Sequence, residues 1–310
     1  MIFLGIDTSN YSTSAALVYD DRAVMQTKLL PVKSGEAGLR QSDAVFHHTK
    51  QLPEIMKALF EGNTPDIQAI GVSTKPREAD GSYMPCFLCG EGLAGSLSAV
   101  TGVPLYKTSH QVGHILAALF SAEKTDLLKA PFLAFHVSGG TTDCLYCTPD
   151  KERVVRIEQA GTSLDLKAGQ LIDRAGIMLG LDFPCGIALE KLAAKADRII
   201  KARPVMKGGD CCLSGFENMV QKLIAQGETK DNTALFAINA VCETVYAMTV
   251  NARERYGALP VIYAGGVMSD MLIRTKLETL GDVYFCEPAY SRDNAVGTAL
   301  FAKLSLTGEI

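Results

Sequence analysis

Short apolar runs alternate with longer segments whose apolar positions recur three and four residues apart, a pattern that predicts strands alternating with helices. Residues 2–5 read as a buried first strand, 7–14 as a polar loop and 15–19 as a return strand. Helical periodicity follows over 43–60, a third strand over 67–73, a helix over 90–101 and a strand over 103–106. Ser109 then has the chemistry of an N-cap, opening a helix to about Ala122 with Val112, Ile115, Leu116, Leu119 and Phe120 as its core stripe. Further on, the pattern predicts a strand over 132–137, a helix over 163–179 with Leu164, Leu171, Ile172, Ala175 and Leu179 facing inward, and a helix carrying Glu190. A loop over 201–212, a long helix over 231–256, strands over 261–264 and 283–286, and a terminal helix capped by residues 291–294 complete the chain. Alternation of this kind indicates an α/β architecture.

The stretch PFLAFHVSGGTTD, residues 131–143, carries the most chemical information. A covered strand runs into Ser138-Gly139-Gly140-Thr141-Thr142, and Leu145 and Tyr146 restart a strand. Such a turn can aim consecutive backbone N–H groups and hydroxyls at one anion, which suits a phosphate. A plain hairpin turn uses the same residues. The N-terminal segment has the same form, a strand, a hydroxyl-rich loop and a strand, which hints at two related halves that share one nucleotide.

Composition narrows the class. The chain has 310 residues, 47% of them hydrophobic and 21% charged, with 28 glycines, no tryptophan and a net charge of -4; this describes about two globular domains. No apolar run approaches the roughly 18 residues of a membrane span, and the start is a strand, so the expectation is a cytoplasmic protein with no membrane partner. Nine cysteines lie scattered through apolar segments and read as buried thiols. Cys86/Cys89 and Cys144/Cys147 form two CxxC pairs, but Cys144 and Cys147 sit on a predicted strand, where positions three apart face opposite ways and do not converge on zinc. No basic block is present, so phosphate-rich partners must be met by a local patch or by another protein.

Three constellations could carry chemistry. His110 and His114 stand at i and i+4 on one face of the Ser109 helix, a spacing that lets two imidazoles share a metal ion or that arises by chance. Gln111 replaces the glutamate of an H-E-x-x-H metallopeptidase, which argues against that activity. Asp165, Gly169 and Asp173 recur every four residues on the predicted 163–179 helix, either a ligand-facing stripe or a solvated face. Gly265 and Gly266 end a buried strand before a new helix, where α/β folds place ligands.

GIDTSNYSTSAAL, SHQVGHILAAL, FHVSGGTTD, LDLKAGQLIDRAGIMLGLDFPCG, YAGGVMSD and SRDNAVGTA occur in the order of the motifs of the threonylcarbamoyl-adenosine tRNA synthases, formerly described as O-sialoglycoprotein endopeptidases. The chain resembles this family over nearly its whole length. The resemblance implies an actin-like ATPase (ribonuclease H-like) α/β fold of two similar lobes around a nucleotide cleft, with residues 1–127 and 291–310 in one lobe and 128–290 in the other. It implies transfer of a threonylcarbamoyl group from its adenylate to the exocyclic amine of an adenosine in tRNA. His110, His114 and Asp293 match the family's Fe2+ or Zn2+ ligands. Ser138, Gly139 and Gly140 match its phosphate loop, and His136, Val137 and Thr141 beside them are further candidates for the nucleotide site; His136 stands where some relatives have a tyrosine ligand and is also a candidate fourth metal ligand. Asp173, Gly186 and Glu190 match positions that hold the ribose and adenylate, and Gly265, Gly266 and Asp270 complete the site for ATP or threonylcarbamoyl-adenylate. Asp7 and Asp165 are the candidate catalytic carboxylates. A paralogous dimer partner and a small ATPase are the implied protein partners.

The chain departs from the family at three places. It begins D-T-S-N rather than E-T-S-C, Asp270 replaces an asparagine, and KPREADGSYMPCFLCGE over 75–91 replaces a short glycine-proline turn. Another actin-like ATPase, such as a small-molecule kinase or carbamoyltransferase, and a catalytically silent paralogue acting as a scaffold are the competing readings. Carboxylate-held magnesium would mark the kinase.

Overall fold

In the computed structural model, residues 1–9, 11–20, 22–31, 39–62, 65–290 and 295–309 are described. The first stretch contains β1 (Ile2–Thr8), β2 (Ser12–Val18), β3 (Ala23–Leu29), α1 (Gln41–Leu59), β4 (Ile67–Lys75), α2 (Phe87–Thr101), β5 (Leu105–Ser109) and α3 (His110–Ser121). The second contains β6 (Phe132–Val137), β7 (Thr142–Asp150), β8 (Val154–Thr162), α4 (Ala168–Met178), α5 (Gly186–Ala193), β9 (Val205–Lys207), β10 (Asp210–Cys212), α6 (Ser214–Ala225) and α7 (Lys230–Tyr256). The chain closes with β11 (Val261–Ala264), α8 (Met271–Glu278), β12 (Val283–Phe285) and α9 (Ala295–Thr307). These elements form two compact units: Met1–Lys129, Pro149–Ile157 and Ala289–Ile310 make the first, and Ala130–Thr148 and Glu158–Pro288 the second. The tip of the β7–β8 hairpin therefore groups with the first unit.

The first unit is built on a five-stranded sheet of order β3-β2-β1-β4-β5. β1 runs antiparallel to β2 and parallel to β4, so one side of the sheet is a meander and the other a crossover arrangement. Successive side chains on a strand face opposite ways. Leu4, Ile6, Ala15 and Leu17 accordingly pack with Leu52, Ile55 and Ala94 from α1 and α2, while Phe3, Ala16 and Val18 pack with Ala295, Val296 and Ala299 from α9. Burial on both faces explains the nearly continuous apolar reading of β1. Gly5 is required by the closeness of α9, since a Cβ there would lie 1.9 Å from the Ala295 carbonyl oxygen.

The second unit repeats the plan. Its main sheet has the order β12-β11-β6-β7-β8, with β6 antiparallel to β7 and parallel to β11. Reading β6, β7, β8, β11 and β12 as β1, β2, β3, β4 and β5 gives the same strand order, so the duplication hinted at by the two hydroxyl-rich turns is present in the topology. The core of this unit gathers around α7, whose Phe236, Ala237, Val241 and Val245 are buried with Leu133, Phe135, Leu171 and Tyr263. By length and composition α7 could cross a membrane, but 67% of its most apolar window is buried, as in a core helix.

Several expectations need correction. The polar run 7–14 is mostly strand: Thr13 and Ser14 are fully buried in β2, and His48 and Gln51 of α1 supply hydrogen-bond partners for the Thr13 hydroxyl. The helix expected from residue 163 begins only at Ala168, which leaves Leu164 50% exposed and places Asp165 ahead of the helix rather than on it. The loop expected over 201–212 contains the β9–β10 hairpin. Phe120, assigned to the α3 stripe, is only half-buried. β3, β8 and α6 are additional elements.

Candidate functional site

Each unit brings together its own group of candidate residues. In the first unit Asp7 stands at the end of β1 on the face that carries Phe3, and its side chain is 1% exposed. Both carboxylate oxygens face Nδ1 of His110, at 3.0 and 3.1 Å, and the Ser73 hydroxyl of β4 donates to Oδ1. Burial pushes the Asp7 carboxyl up, but the adjoining His110 and the Ser73 hydroxyl outweigh it and hold the group below its ordinary value. His110 and His114 project from the first turns of α3 with ring centroids 4.6 Å apart and planes at 67°. Ser109 accepts from the Val112 N–H and so caps the helix at the residue the sequence indicates.

Two imidazoles that meet edge-on, with a carboxylate behind one of them, are a donor set that fits Fe2+ or Zn2+. Among the described residues no group of three His, Cys, Asp or Glu side chains forms a complete ligand cluster. The third expected ligand, Asp293, lies outside the described residues.

A buried polar frame supports the β1–β2 turn. His48 meets Thr13 Oγ1 with Nδ1 at 2.8 Å and the Ser9 carbonyl with Nε2 at 2.8 Å. Gln51 donates to the Leu29 carbonyl. Burial pushes the His48 imidazole down from its ordinary value.

In the second unit the Ser138–Thr141 turn joins β6 to β7. Ser138 Oγ accepts from the N–H groups of Gly140 and Thr141, and the Ser138 N–H donates to the Thr141 carbonyl at 2.8 Å. Gly139 and Gly140 are exposed, and a Cβ at either would meet open space. The start of α4 docks against this turn, with Gly169 N–H donating to the Ser138 carbonyl and Ala168 N–H to Thr142 Oγ1. Val137 is fully buried, and His136, half-buried on β6, pairs in register with Ala264 and Asp143. Gly265 has φ 100° and sits where a Cβ would lie 2.2 Å from the Val137 carbonyl oxygen, so glycine is needed to bring the β11 turn beside the end of β6.

Three carboxylates edge this region. Asp173 Oδ1 accepts from the Cys185 N–H, next to Gly186 at the start of α5. Glu190 Oε1 accepts from Met271 N–H, and Asp270 Oδ1 accepts from Leu272 and Ile273 N–H. The first three N–H groups of α8 are therefore met by two carboxylates. Burial pushes the Asp270 carboxyl up to about 6, with the Ile273 N–H acting against the rise and the Glu190 charge adding to it.

Asp165 precedes α4 instead of lying on its face. Its Oδ1 accepts from Leu166 and Leu213 N–H, and its Oδ2 from the Ser214 N–H and hydroxyl, so it ties the start of α6 to the β8–α4 connection. Burial pushes this carboxyl up, but the Ser214 hydroxyl and the surrounding amides hold it below its ordinary value. Ser73, Ser214 and the Met271 amide carry no local signal in the sequence. All nine cysteines are free thiols, and burial pushes Cys86 up to about 12.

Two sheets of one strand order define a protein of the actin-like ATPase and sugar-kinase fold. Full-length HypF in its phosphate- and nucleotide-bound form is similar, with a TM-score of 0.62 and 14% identity over 99% of this chain; the chain spans 56% of that protein's length. Xylulose kinase from Rhodospirillum rubrum superposes with a TM-score of 0.60 at 12% identity, covering 100% of this chain and 91% of that one. The (R)-2-hydroxyglutaryl-CoA dehydratase component A of Acidaminococcus fermentans gives 0.58 at 16% identity, covering 99% and 100%. At these identities the likeness establishes the fold. The sequence profile of the TsaD family, tRNA N6-adenosine threonylcarbamoyltransferase, matches residues 32–300, and the chain belongs to that family of transferases.

Proposed function

We propose that the protein transfers a threonylcarbamoyl group from threonylcarbamoyl-adenylate to the exocyclic amine of an adenosine in tRNA. The observation that carries this reading is the family match over residues 32–300, which spans the His110/His114 pair, the Ser138–Thr141 turn and Asp270. In the second unit the exposed Gly139-Gly140 turn offers backbone to a phosphate. Asp173 and Glu190 each use one carboxylate oxygen on backbone and can accept from ribose hydroxyls with the other. In the first unit His110 and His114 would hold Fe2+ or Zn2+. Such an ion supplies Lewis-acid polarisation of phosphate or carbonyl oxygens. The acceptor amine is itself the nucleophile: its bond to the carbamoyl carbon forms as the bond to the adenylate oxygen breaks, adenosine monophosphate leaves, and the amine releases one proton to solvent.

A net charge of -4 without a basic block gives the isolated chain little means to neutralise several tRNA phosphates. We therefore expect weak, salt-sensitive tRNA binding alone and tight binding once a paralogous partner and a small ATPase add their surfaces. Mass spectrometry of tRNA nucleosides from a strain lacking the gene should show loss of threonylcarbamoyl-adenosine, restored by the gene. An unchanged nucleoside profile would reject the reading.

A further inference from the structure

We infer that Asp7 is a positioning residue for a divalent metal ion, one that fixes the His110 ring and its tautomer so that Nε2 is presented as the ligand atom. The inference rests on the metal reading given under the proposed function. It starts from strand geometry. Phe3, Gly5 and Asp7 alternate onto the β1 face covered by α9 and α3, so the carboxylate is directed into the protein, and at 1% exposure it is sealed from dissolved substrate.

Its oxygens are occupied there. The Ser73 hydroxyl donates to Oδ1, and His110 Nδ1 lies 3.0 and 3.1 Å from the two oxygens. A carboxylate accepts hydrogen bonds and does not donate them, so the proton in this contact sits on Nδ1. In a neutral imidazole whose Nδ1 carries the proton, the lone pair is on Nε2, at the opposite edge of the ring. That is the atom a metal requires. The ring plane is fixed as well: Phe87 meets it edge-on with centroids 5.9 Å apart, and His114 meets it at 4.6 Å and 67°. Asp7 on β1, Ser73 on β4 and His110 on α3 thus form a chain from the centre of the sheet to the ligand atom. A carboxylate behind a ligating imidazole both orients the ring and raises its basicity, and loss of such a partner weakens metal affinity about 10- to 100-fold.

The test uses the full chain and Zn2+. Zinc affinity is read by competition with a chromophoric chelator for wild type, Asp7→Asn and Asp7→Ala. Asparagine keeps the shape and one acceptor but loses the charge, and is expected to weaken zinc about 10-fold; alanine is expected to weaken it about 100-fold. In parallel, 15N-labelled histidine spectra of the metal-free protein should show His110 protonated on Nδ1 in wild type and shifted toward the Nε2-protonated form in Asp7→Ala. If alanine at this position disrupts folding, the wild-type tautomer and the Asp7→Asn affinity decide the matter. Wild-type zinc affinity in a folded Asp7 variant, or an Nε2-protonated His110 in wild type, would overturn the inference while leaving the metal reading intact. Absence of zinc uptake by the wild type would instead refute the metal reading, and the inference with it.

Discussion

The Gly169 N–H donates to the Ser138 carbonyl at 3.1 Å, and a Cβ on Gly169 would come within 2.6 Å of the Gly139 nitrogen. Helix α4 therefore touches the turn after β6 backbone to backbone. A Cβ on Gly139 itself would meet nothing within 4 Å. The two glycines serve different purposes: Gly169 is bare for the protein's own packing, whereas Gly139 is bare toward solvent, where a ligand can approach.

This separates stability from binding. Gly139→Val should leave the melting temperature nearly unchanged and abolish binding of ATP or an adenylate, because its side chain would stand where phosphate meets backbone. Gly169→Val should lower the melting temperature by several degrees through overpacking against the turn. Calorimetric titration and thermal melts of both variants check this. Wild-type nucleotide affinity in Gly139→Val would mean that the loop is only a turn.

Metal content tests the first unit. Purified protein should carry close to one iron or zinc per chain, and His110→Ala or His114→Ala should release most of it, since each removes one of few protein ligands. Inductively coupled plasma mass spectrometry on the three proteins gives the stoichiometry. Unchanged content in both variants would remove His110 and His114 from the metal site.

What was legible in the sequence follows from the range of the interactions. β1, β6 and β11 were readable because burial on both faces leaves a local apolar run, and the Ser109 cap because its bond spans three residues. Thr13 is not legible as strand because the partner that lets its hydroxyl be buried, His48, lies 35 residues away. The start of α4 was misplaced for a similar reason: Asp165 bonds Leu213 and Ser214, 48 and 49 residues on, and this holds the chain out of helix until Ala168. Motif residues such as Ser138 and Gly139 could be named, whereas the bonds from Ser73 to Asp7 and from Met271 to Glu190 span 66 and 81 residues and carry no local signal.

Asp165 yields a stability prediction rather than a catalytic one. Asp165→Ala removes the acceptor for Leu166, Leu213 and Ser214 and should cost about 1–2 kcal/mol in urea melts at neutral pH, reduced by water that reaches this exposed side chain. Because the folded carboxyl lies below its ordinary value, its contribution is present at neutral pH and is lost as pH falls through the folded pKa. Hydrogen exchange at the first turn of α6 should accelerate in the variant. No change there would mean that α6 is held by packing alone.

Asp270 has the opposite sign. Its folded pKa of about 6 stands above the unfolded 3.8, so between these values the folded state binds more protons and stability falls as pH rises. The cause is physical crowding of negative charge in a half-buried place: Glu190 holds the Met271 N–H while Asp270 holds the next two amides of α8. Asp270→Asn keeps an oxygen for those amides and removes the charge, so it should stabilise the protein by about 1–2 kcal/mol at pH 7, a discounted share of the linkage energy. At pH 4, where the wild-type carboxyl is protonated, the two proteins should melt alike. The cap itself must be kept, and Asp270→Ala should therefore be less stable than Asp270→Asn at both pH values, by about 1 kcal/mol. Urea melts of the three proteins at pH 4 and pH 7 give the comparison. A destabilised Asp270→Asn at pH 7 would show that attraction between the carboxylate and the start of α8 exceeds the burial and the repulsion from Glu190.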